Sequence, residues 1–235
     1  MHNKNKECLN KLAQITEQDF VYFYFTGVIY HEEKVYKYAK QNYLCAVEKK
    51  ENIGIYTELY LDCLLRLSQI QLLSYFNEKE INKVKFSEIN FYILTAKDIA
   101  FKYKLLNYRL APILSCYYAI NEKYEESKRN YNLINKSFFY YDLRWIINVI
   151  GLHFIRFNDI NFAKTVFLFA EQINSDSSYV QNNLGAVYLQ LGEYYLAKDK
   201  FSSALSIDPY YRTASENMAK VNNLLRIHGS NAAIK

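Results

Sequence analysis

Hydrophobic residues recur along most of the chain with the three-to-four-residue period of an amphipathic α-helix. Near the start, Leu9, Leu12 and Ile15 are separated by polar residues, which predicts a helical lead-in over residues 1–19. Residues 55–76 and 86–106 each predict one long helix, with a charged loop at 77–85 between them. Residues 212–228 predict a last amphipathic helix that ends at Gly229, followed by a mobile tail over 229–235.

Turn-forming residues are few. The 235 residues include 6 Gly and 2 Pro, against 24 Tyr and 15 Phe. A sandwich or barrel of short strands needs Gly or Pro signals about every 8–12 residues, so this composition argues against such folds. Long helices joined by short polar turns fit the composition better.

A sequence motif is clearest in residues 178–211. The residues that form the motif are Leu184, Gly185, Tyr188, Gly192, Tyr194, Ala197, Phe201, Ala204 and Pro209. This stretch resembles the tetratricopeptide repeat (TPR), a helix–turn–helix unit of about 34 residues with the pattern W-x₂-L-G-x₂-Y, then A-x₃-F, then P. Gln181 stands where the family often has Trp, and this is the notable departure.

The same spacing recurs earlier in the chain. Gly151, Phe154, Ala163 and Phe167 stand 34 residues before Gly185, Tyr188, Ala197 and Phe201. Weaker copies begin at residues 108 and 20. The predicted units are 20–53, 54–107, 108–143, 144–177 and 178–211, followed by a capping helix over 212–228. The resemblance therefore predicts an all-α fold, an α-α superhelix (TPR solenoid) of about five helical hairpins and a C-terminal capping helix.

Segment 54–107 fits the repeat poorly because it is 20 residues longer than one unit. It is either a degenerate, elongated repeat or an insertion with its own contact surface. Elsewhere, a small residue at the eighth and twentieth positions of a unit lets the paired helices approach closely. An aromatic residue at the eleventh and twenty-fourth positions then fills the groove beside them.

The sequence lacks the motifs that would indicate catalysis, metal binding or cofactor binding. No two glycines are spaced for a phosphate-binding loop, and the histidines are isolated from one another, so we expect no enzyme, no metal and no cofactor. The formal charge of +5 is mild, and no basic stripe or recognition helix stands out, so no nucleic acid is expected.

Localisation follows from what the chain lacks. The four cysteines (Cys8, Cys45, Cys63 and Cys116) have no CxxC or zinc spacing, which favours buried, reduced thiols in a reducing compartment. The N-terminal residues lack the unbroken apolar core of a signal peptide, and no apolar run is long enough for a membrane span. We therefore expect a cytoplasmic protein.

The resemblance implies a protein-binding module. In the family, the first helix of each unit lines a concave groove, and its second, fifth, sixth, ninth, twelfth and thirteenth positions face that groove. Carried over with the capping helix, these positions give the candidate groove residues Trp145, Asn148, Leu152, Arg156, Tyr179, Asn182, Asn183, Ala186, Gln190 and Lys220. Asn148 and Asn182, which stand in register, are expected to hold a peptide backbone because an amide both donates and accepts hydrogen bonds.

Three functions remain open at this point. The first is an adaptor or chaperone that binds an extended peptide or client protein, and bacterial secretion chaperones with TPR repeats are similar in architecture. The second is a regulatory protein that senses a peptide. The third, disfavoured by the missing motifs, is an enzyme on a helical-repeat scaffold.

Overall fold

The computed structural model describes residues 2–12, 14, 19–49, 53–77, 83–105, 108–134 and 143–232. These residues form helices and connecting turns with no strand among them, so the predicted all-α class is confirmed. The helices are α1 His2–Leu12, α2 Phe20–Glu32, α3 Tyr36–Glu48, α4 Ile53–Asn77, α5 Lys83–Lys102, α6 Leu110–Ile120, α7 Tyr124–Asn132, α8 Arg144–Arg156, α9 Ile160–Ile173, α10 Ser178–Gln190, α11 Tyr194–Ile207 and α12 Arg212–Ala232.

The chain divides into two compact units, which we call the first unit (Met1–Ile113) and the second unit (Leu114–Lys235). In the first unit, α2 pairs with α3 and α4 pairs with α5. In the second unit, α8 pairs with α9 and α10 pairs with α11. Each pair is a helical hairpin of the kind that the repeat pattern predicts.

Four pairs of consecutive helices, α2–α3, α6–α7, α8–α9 and α10–α11, are joined by turns of one geometry. The residue two before the second helix has a left-handed backbone in each: Lys34 (φ 60°), Glu122 (φ 58°), Asn158 (φ 64°) and Gly192 (φ 76°). In the last hairpin, the Gly192 N–H donates to the Leu189 carbonyl and the next N–H to the Tyr188 carbonyl. The other three turns repeat both bonds, which satisfy carbonyl groups at the end of the first helix. Glycine adopts this conformation without strain, so Gly192 is the residue best suited to the shared turn.

Close helix contact at glycine also repeats. A Cβ atom built on Gly27 would lie 2.6 Å from Tyr43 Cε1, one on Gly151 would lie 2.5 Å from Phe167 Cζ, and one on Gly185 would lie 2.6 Å from Phe201 Cε1. Each ring belongs to the second helix of the same hairpin and is fully buried. The predicted close approach at the eighth position is thus confirmed, and the aromatic at the twenty-fourth position packs directly on the glycine.

Ion pairs join successive hairpins of the second unit. Lys128 Nζ lies 2.6 Å from Asp159 Oδ2, and Lys164 Nζ lies 2.9 Å from Glu193 Oε1. In each pair a lysine on a second helix contacts the acidic residue just before the next second helix. Both pairs are partly exposed, so each adds little to stability.

The elongated segment consists of two long helices, as predicted. Helix α4 spans 25 residues and α5 spans 20, with a kink in α4 at Tyr56. Part of the predicted loop, residues 78–82, lies outside the described residues. After α5, Lys104 has the same left-handed geometry as the hairpin turns (φ 53°).

Helix α12 packs on α11 and buries Ala214 and Val221, while Ser215 and Asn222 are exposed. It continues to Ala232, so the predicted end of the helix at Gly229 is wrong. A single glycine costs a helix interior only about 1 kcal/mol relative to alanine, which does not force an end. The predicted mobility of the tail stays a prediction, and residues 233–235 lie outside the described residues.

Two cysteines fit the expected buried thiols and two do not. All four are free; Cys63 and Cys116 are buried, Cys45 is half-buried and Cys8 is exposed. Burial raises the pKa of the Cys63 and Cys116 thiols, which keeps both protonated and unreactive. Cys8 is exposed because α1 is a polar helix that buries little of its surface.

Candidate peptide-binding site

The candidate site is a face of the second unit formed by α8, α10 and α12, which we call the amide face. Helix α10 packs against both α8 and α12. Helices α8 and α10 are the first helices of two hairpins, and α12 is the last helix among the described residues. Side chains at equivalent positions on the three helices therefore lie side by side.

Four asparagine side chains form a hydrogen-bonded chain across this face. Asn217 Nδ2 on α12 donates to Asn182 Oδ1 on α10 (2.9 Å), and Asn183 Nδ2 on α10 donates to Asn148 Oδ1 on α8 (2.8 Å). Asn182 Nδ2 donates to Asn183 Oδ1 at 3.4 Å and links the two pairs. All the bonds run in the same direction, so the amide dipoles reinforce one another.

The two ends of this amide chain carry complementary groups. None of the described residues accepts a hydrogen bond from Asn148 Nδ2, and none donates one to Asn217 Oδ1. Both side chains are partly exposed, so their groups can reach a ligand. The α8 end therefore offers N–H donors, and the α12 end offers an acceptor.

Apolar groups flank the amide chain. Tyr179 at the start of α10 is 62% exposed, and its ring centroid lies 5.1 Å from that of Tyr211. Leu152 on α8 is 37% exposed, while Trp145 and Ala186 are half-buried. Partly exposed aromatic rings of this kind supply the anchors that dominate many protein interfaces.

Charged and polar residues complete the face. Arg156, Gln190 and Lys220 are exposed, and Arg212 pairs with Glu216 at 2.7 Å. Burial, together with the nearby Arg156 guanidinium, lowers the pKa of His153 to about 4, so this imidazole is neutral at pH 7. The two charged residues among the candidates, Arg156 and Lys220, both carry a positive charge.

One candidate residue differs from its predicted role. Asn182 is 4% exposed, and its amide is bonded to Asn217 and Asn183. It joins α10 to α12 and does not present its amide to solvent. The pairing is offset by one position from the predicted register, because Asn148 bonds to Asn183 and not to Asn182.

Sequence analysis missed a buried polar cluster in the first unit. Asp62 Oδ2 accepts hydrogen bonds from Tyr24 Oη (2.8 Å) and Arg66 Nε, and Arg109 Nε lies 3.3 Å from Asp62 Oδ1. Burial raises the pKa of the Asp62 carboxyl, but Arg66 and Arg109 lower it further, so the pKa lies below its usual value. The i, i+4 spacing of Asp62 and Arg66 was a visible signal, whereas Arg109 is remote in sequence. The cluster ties α2 to α4 and to the residue before α6.

In the part of the chain that the structure describes, no helix has both the length and the apolar character that crossing a bilayer requires. Comparison of the sequence with protein-family models and with curated proteins finds no match. The fold, by contrast, is similar to solved structures.

One of these is a tetratricopeptide repeat protein from Parabacteroides merdae ATCC 43184, with a TM-score of 0.55 and 16% identity over 92% of this chain and 76% of that one. Another is the APC/C hetero-tetramer Cut9–Hcn1, with a TM-score of 0.55 and 15% identity over 93% of this chain. This chain spans about half of the latter's length, 46%. The predicted resemblance is confirmed at the level of structure, and the chain has the fold of a tetratricopeptide-repeat protein.

Proposed function

We propose that this protein is a non-enzymatic interaction module whose amide face binds an extended segment of another protein. The observation that carries the proposal is the polarised chain of four asparagine side chains, which ends in available hydrogen-bonding groups beside exposed apolar side chains. An extended peptide has the matching chemistry because every residue other than proline carries one N–H and one carbonyl.

The mode of binding follows from the ends of the amide chain. Asn148 Nδ2 donates to a carbonyl of the bound segment, and Asn217 Oδ1 accepts one of its N–H groups. Tyr179 and Leu152 contact apolar side chains of the segment, and Arg156 and Lys220 favour acidic ones. Backbone recognition by amides sets little sequence preference, so the apolar and charged contacts supply the specificity.

Within this proposal the protein acts as an adaptor or a chaperone, and these roles differ in what happens to the client. A chaperone delays aggregation of an unfolded client at equimolar protein, and the delay is lost with the peptide-binding variants. An adaptor binds a folded client with an exposed segment and does not change its aggregation. Light scattering of a client that carries the selected segment distinguishes the two roles.

The test begins with selection of a random linear peptide library on the whole chain, followed by titration of an enriched peptide. Tyr179→Ala should weaken binding by about tenfold because it removes an aromatic contact that the bound peptide would bury. Asn148→Ala should weaken binding by about tenfold because it removes a hydrogen bond to the peptide. Tyr195→Ala and Asn161→Ala are matched controls, because both residues are exposed on the second helices of their hairpins. Equal affinity for all four variants, or enrichment of no peptide, contradicts the proposal.

A further inference from the structure

Helix α5 of the first unit carries apolar side chains on two faces. It packs against α4 and buries four apolar residues: Ile89, Ile93, Ala96 and Ala100. Its other face leaves Phe91 56% exposed, Leu94 43% exposed and Phe101 88% exposed. A helix that is apolar on both faces is normally covered on both, because neighbouring exposed apolar side chains mark interaction sites. The peptide-binding proposal does not use this helix.

The exposed residues of α5 follow the spacing of a coiled-coil seam. Ser87 and Asp98 are exposed as well, and with the three apolar residues they form what we call the α5 stripe: Ser87, Phe91, Leu94, Asp98 and Phe101. Successive members stand 4, 3, 4 and 3 residues apart. This alternation is that of the two core positions in the seven-residue repeat, which keep one helix face turned toward a partner helix. The stripe therefore suits another helix as its partner.

The charges beside the stripe complement those of a second copy. Glu88, Thr95 and Lys102 lie along one flank of the stripe at seven-residue intervals. If two α5 helices meet in antiparallel orientation with Thr95 opposite Thr95, each Glu88 lies at the level of Lys102 of the other copy. Glu88 accepts a hydrogen bond from Gln71, and its ion pair with Lys40 is long, at 3.8 Å. The Glu88 side chain is 48% exposed, so its carboxylate can accept a further donor.

The acidic residue within the stripe distinguishes the two possible orientations. A parallel pair would place Asp98 opposite Asp98 in the seam and Glu88 opposite Glu88 on the flank, and like charges at such positions repel. In the antiparallel pair centred on Thr95, the two Asp98 residues are separated by six residues along the axis, about 9 Å. The charges therefore favour the antiparallel orientation.

The same alignment brings the aromatic residues of the two copies together. Phe91 of one copy lies within two residues, about 3 Å along the axis, of the level of Phe101 of the other. Phe101 borders a cavity of about 440 Å³ whose other lining residues include three apolar ones, Ala100, Leu105 and Leu110. The incoming Phe91 thus meets apolar surface and not solvated charge.

We propose that this chain forms a two-fold symmetric dimer in which the α5 stripe packs against the α5 stripe of a second copy in antiparallel orientation. Phe91 contacts Phe101 of the other copy, and Glu88 pairs with its Lys102. Two-fold symmetry makes each of these contacts occur twice. The stripe is only about 21 Å long, so the interface is small and the dimer dissociates with a constant of about 1–100 μM.

The first experiment is sedimentation velocity of the whole chain at about 1–500 μM, which brackets the expected dissociation constant. The weight-average sedimentation coefficient should rise from that of a monomer to that of a dimer. Phe101→Ser should weaken dimerisation at least about tenfold, because each dimer loses two aromatic contacts. Tyr210→Ser is the matched control, since Tyr210 is 95% exposed and lies outside α5. A chain that stays monomeric over this range, or a Phe101→Ser variant that dimerises as the parent does, overturns the proposal.

The second experiment tests the orientation by charge reversal. Lys102→Glu should weaken dimerisation by about fivefold, because two attractive pairs become repulsive, whereas Lys198→Glu, at an exposed position on α11, should dimerise as the parent does. Adding Glu88→Lys to Lys102→Glu restores opposite charges and should return the affinity to within about threefold of the parent. A folded double variant that shows no recovery overturns the proposal. If the double variant does not fold, Lys102→Glu decides alone, and affinity equal to the parent's overturns the proposal.

Discussion

A single methyl group at Gly185 should destabilise the last hairpin. The added Cβ would lie 2.6 Å from Phe201 Cε1, 2.7 Å from Cδ1 and 3.1 Å from Cζ. Non-bonded carbon atoms have their optimum at about 3.5–4.0 Å, so either the ring or the helix must shift by several tenths of an ångström. Phe201 is fully buried, which leaves its ring no open space to move into.

The expected size follows from two opposed effects. Overpacking a filled core costs about 1–3 kcal/mol, and a contact of 2.6 Å with a fully buried ring belongs in the upper half of that range, at about 2–3 kcal/mol. Alanine is more favourable than glycine in a helix by about 1 kcal/mol, which offsets part of that cost. We therefore expect Gly185→Ala to lower the free energy of unfolding by about 1–2 kcal/mol.

Urea unfolding followed by far-ultraviolet circular dichroism measures this change. Gly54→Ala is the matched control because a Cβ on Gly54 meets nothing within 4 Å, and it should raise stability by up to about 1 kcal/mol. In the background of Phe201→Leu, the smaller side chain leaves room, so the same Gly185→Ala change should cost less than in the parent. A Gly185→Ala variant that is as stable as the parent, or that gains stability as Gly54→Ala does, refutes the close helix contact.

Three further changes test the fold and the site. Glu122→Gly should raise the free energy of unfolding by about 1 kcal/mol, because Glu122 has a left-handed backbone that costs a residue with a Cβ about that much; denaturant unfolding that shows a loss contradicts the shared turn geometry. Asn182→Ala should lower the free energy of unfolding by about 1–2 kcal/mol because it breaks the amide chain. The control Asn161→Ala, at an exposed position, should lower it by about 0.5 kcal/mol or less. Equal losses for the two variants in thermal unfolding would exclude a structural role for the amide chain. Burial and Arg156 lower the pKa of His153 from 6.5 to about 4. Between these two pH values the unfolded chain binds a proton that the folded chain does not bind. The free energy of unfolding should therefore fall by up to about 3 kcal/mol as the pH drops from 6.5 to 4. His153→Gln should remove this part of the pH dependence, and an unchanged profile would show that His153 titrates normally.

The hairpins could be predicted because their determinants are local. The distance from Gly185 to Phe201 is 16 residues, and the same distance separates Gly27 from Tyr43 and Gly151 from Phe167. A small residue and an aromatic at that spacing specify one helix contact wherever they occur. The shared turn was visible in sequence only at Gly192. Lys34 and Glu122 adopt the same backbone, although their residue types do not favour it.

The candidate site was harder to predict because it depends on side chains from three helices. The repeat register predicts that Asn148, Asn182 and Asn183 share one face, and in the structure their side-chain amides are hydrogen-bonded to one another. Which amide becomes buried depends on Asn217, whose Nδ2 reaches Asn182 from the next helix. The paired asparagines, Asn148 with Asn183 and Asn182 with Asn217, are 35 residues apart, one more than the repeat length of 34. Which residues pair therefore depends on how the neighbouring helices pack, and the repeat length alone does not determine it.

Long-range pairing of polar residues was beyond sequence reasoning for the same reason. Arg109 stands 40 residues from Gln69, yet its Nη1 donates to Gln69 Oε1 at 3.2 Å. Likewise, Gln71 and Glu88 meet because α4 and α5 fold back on each other. Their spacing in sequence indicates no helical or strand periodicity that would place them together.

Site-specific photo-crosslinking tests the proposed peptide-binding face most directly. A benzophenone amino acid replaces Tyr179 in one variant and Tyr195 in the other, two exposed tyrosines on adjacent helices of the same hairpin. With a selected peptide present, the variant at position 179 should form a covalent adduct on irradiation, and an excess of unlabelled peptide should suppress it. The variant at position 195 should form none. Equal adduct at both positions, or adduct only at position 195, would contradict binding at the face formed by α8, α10 and α12.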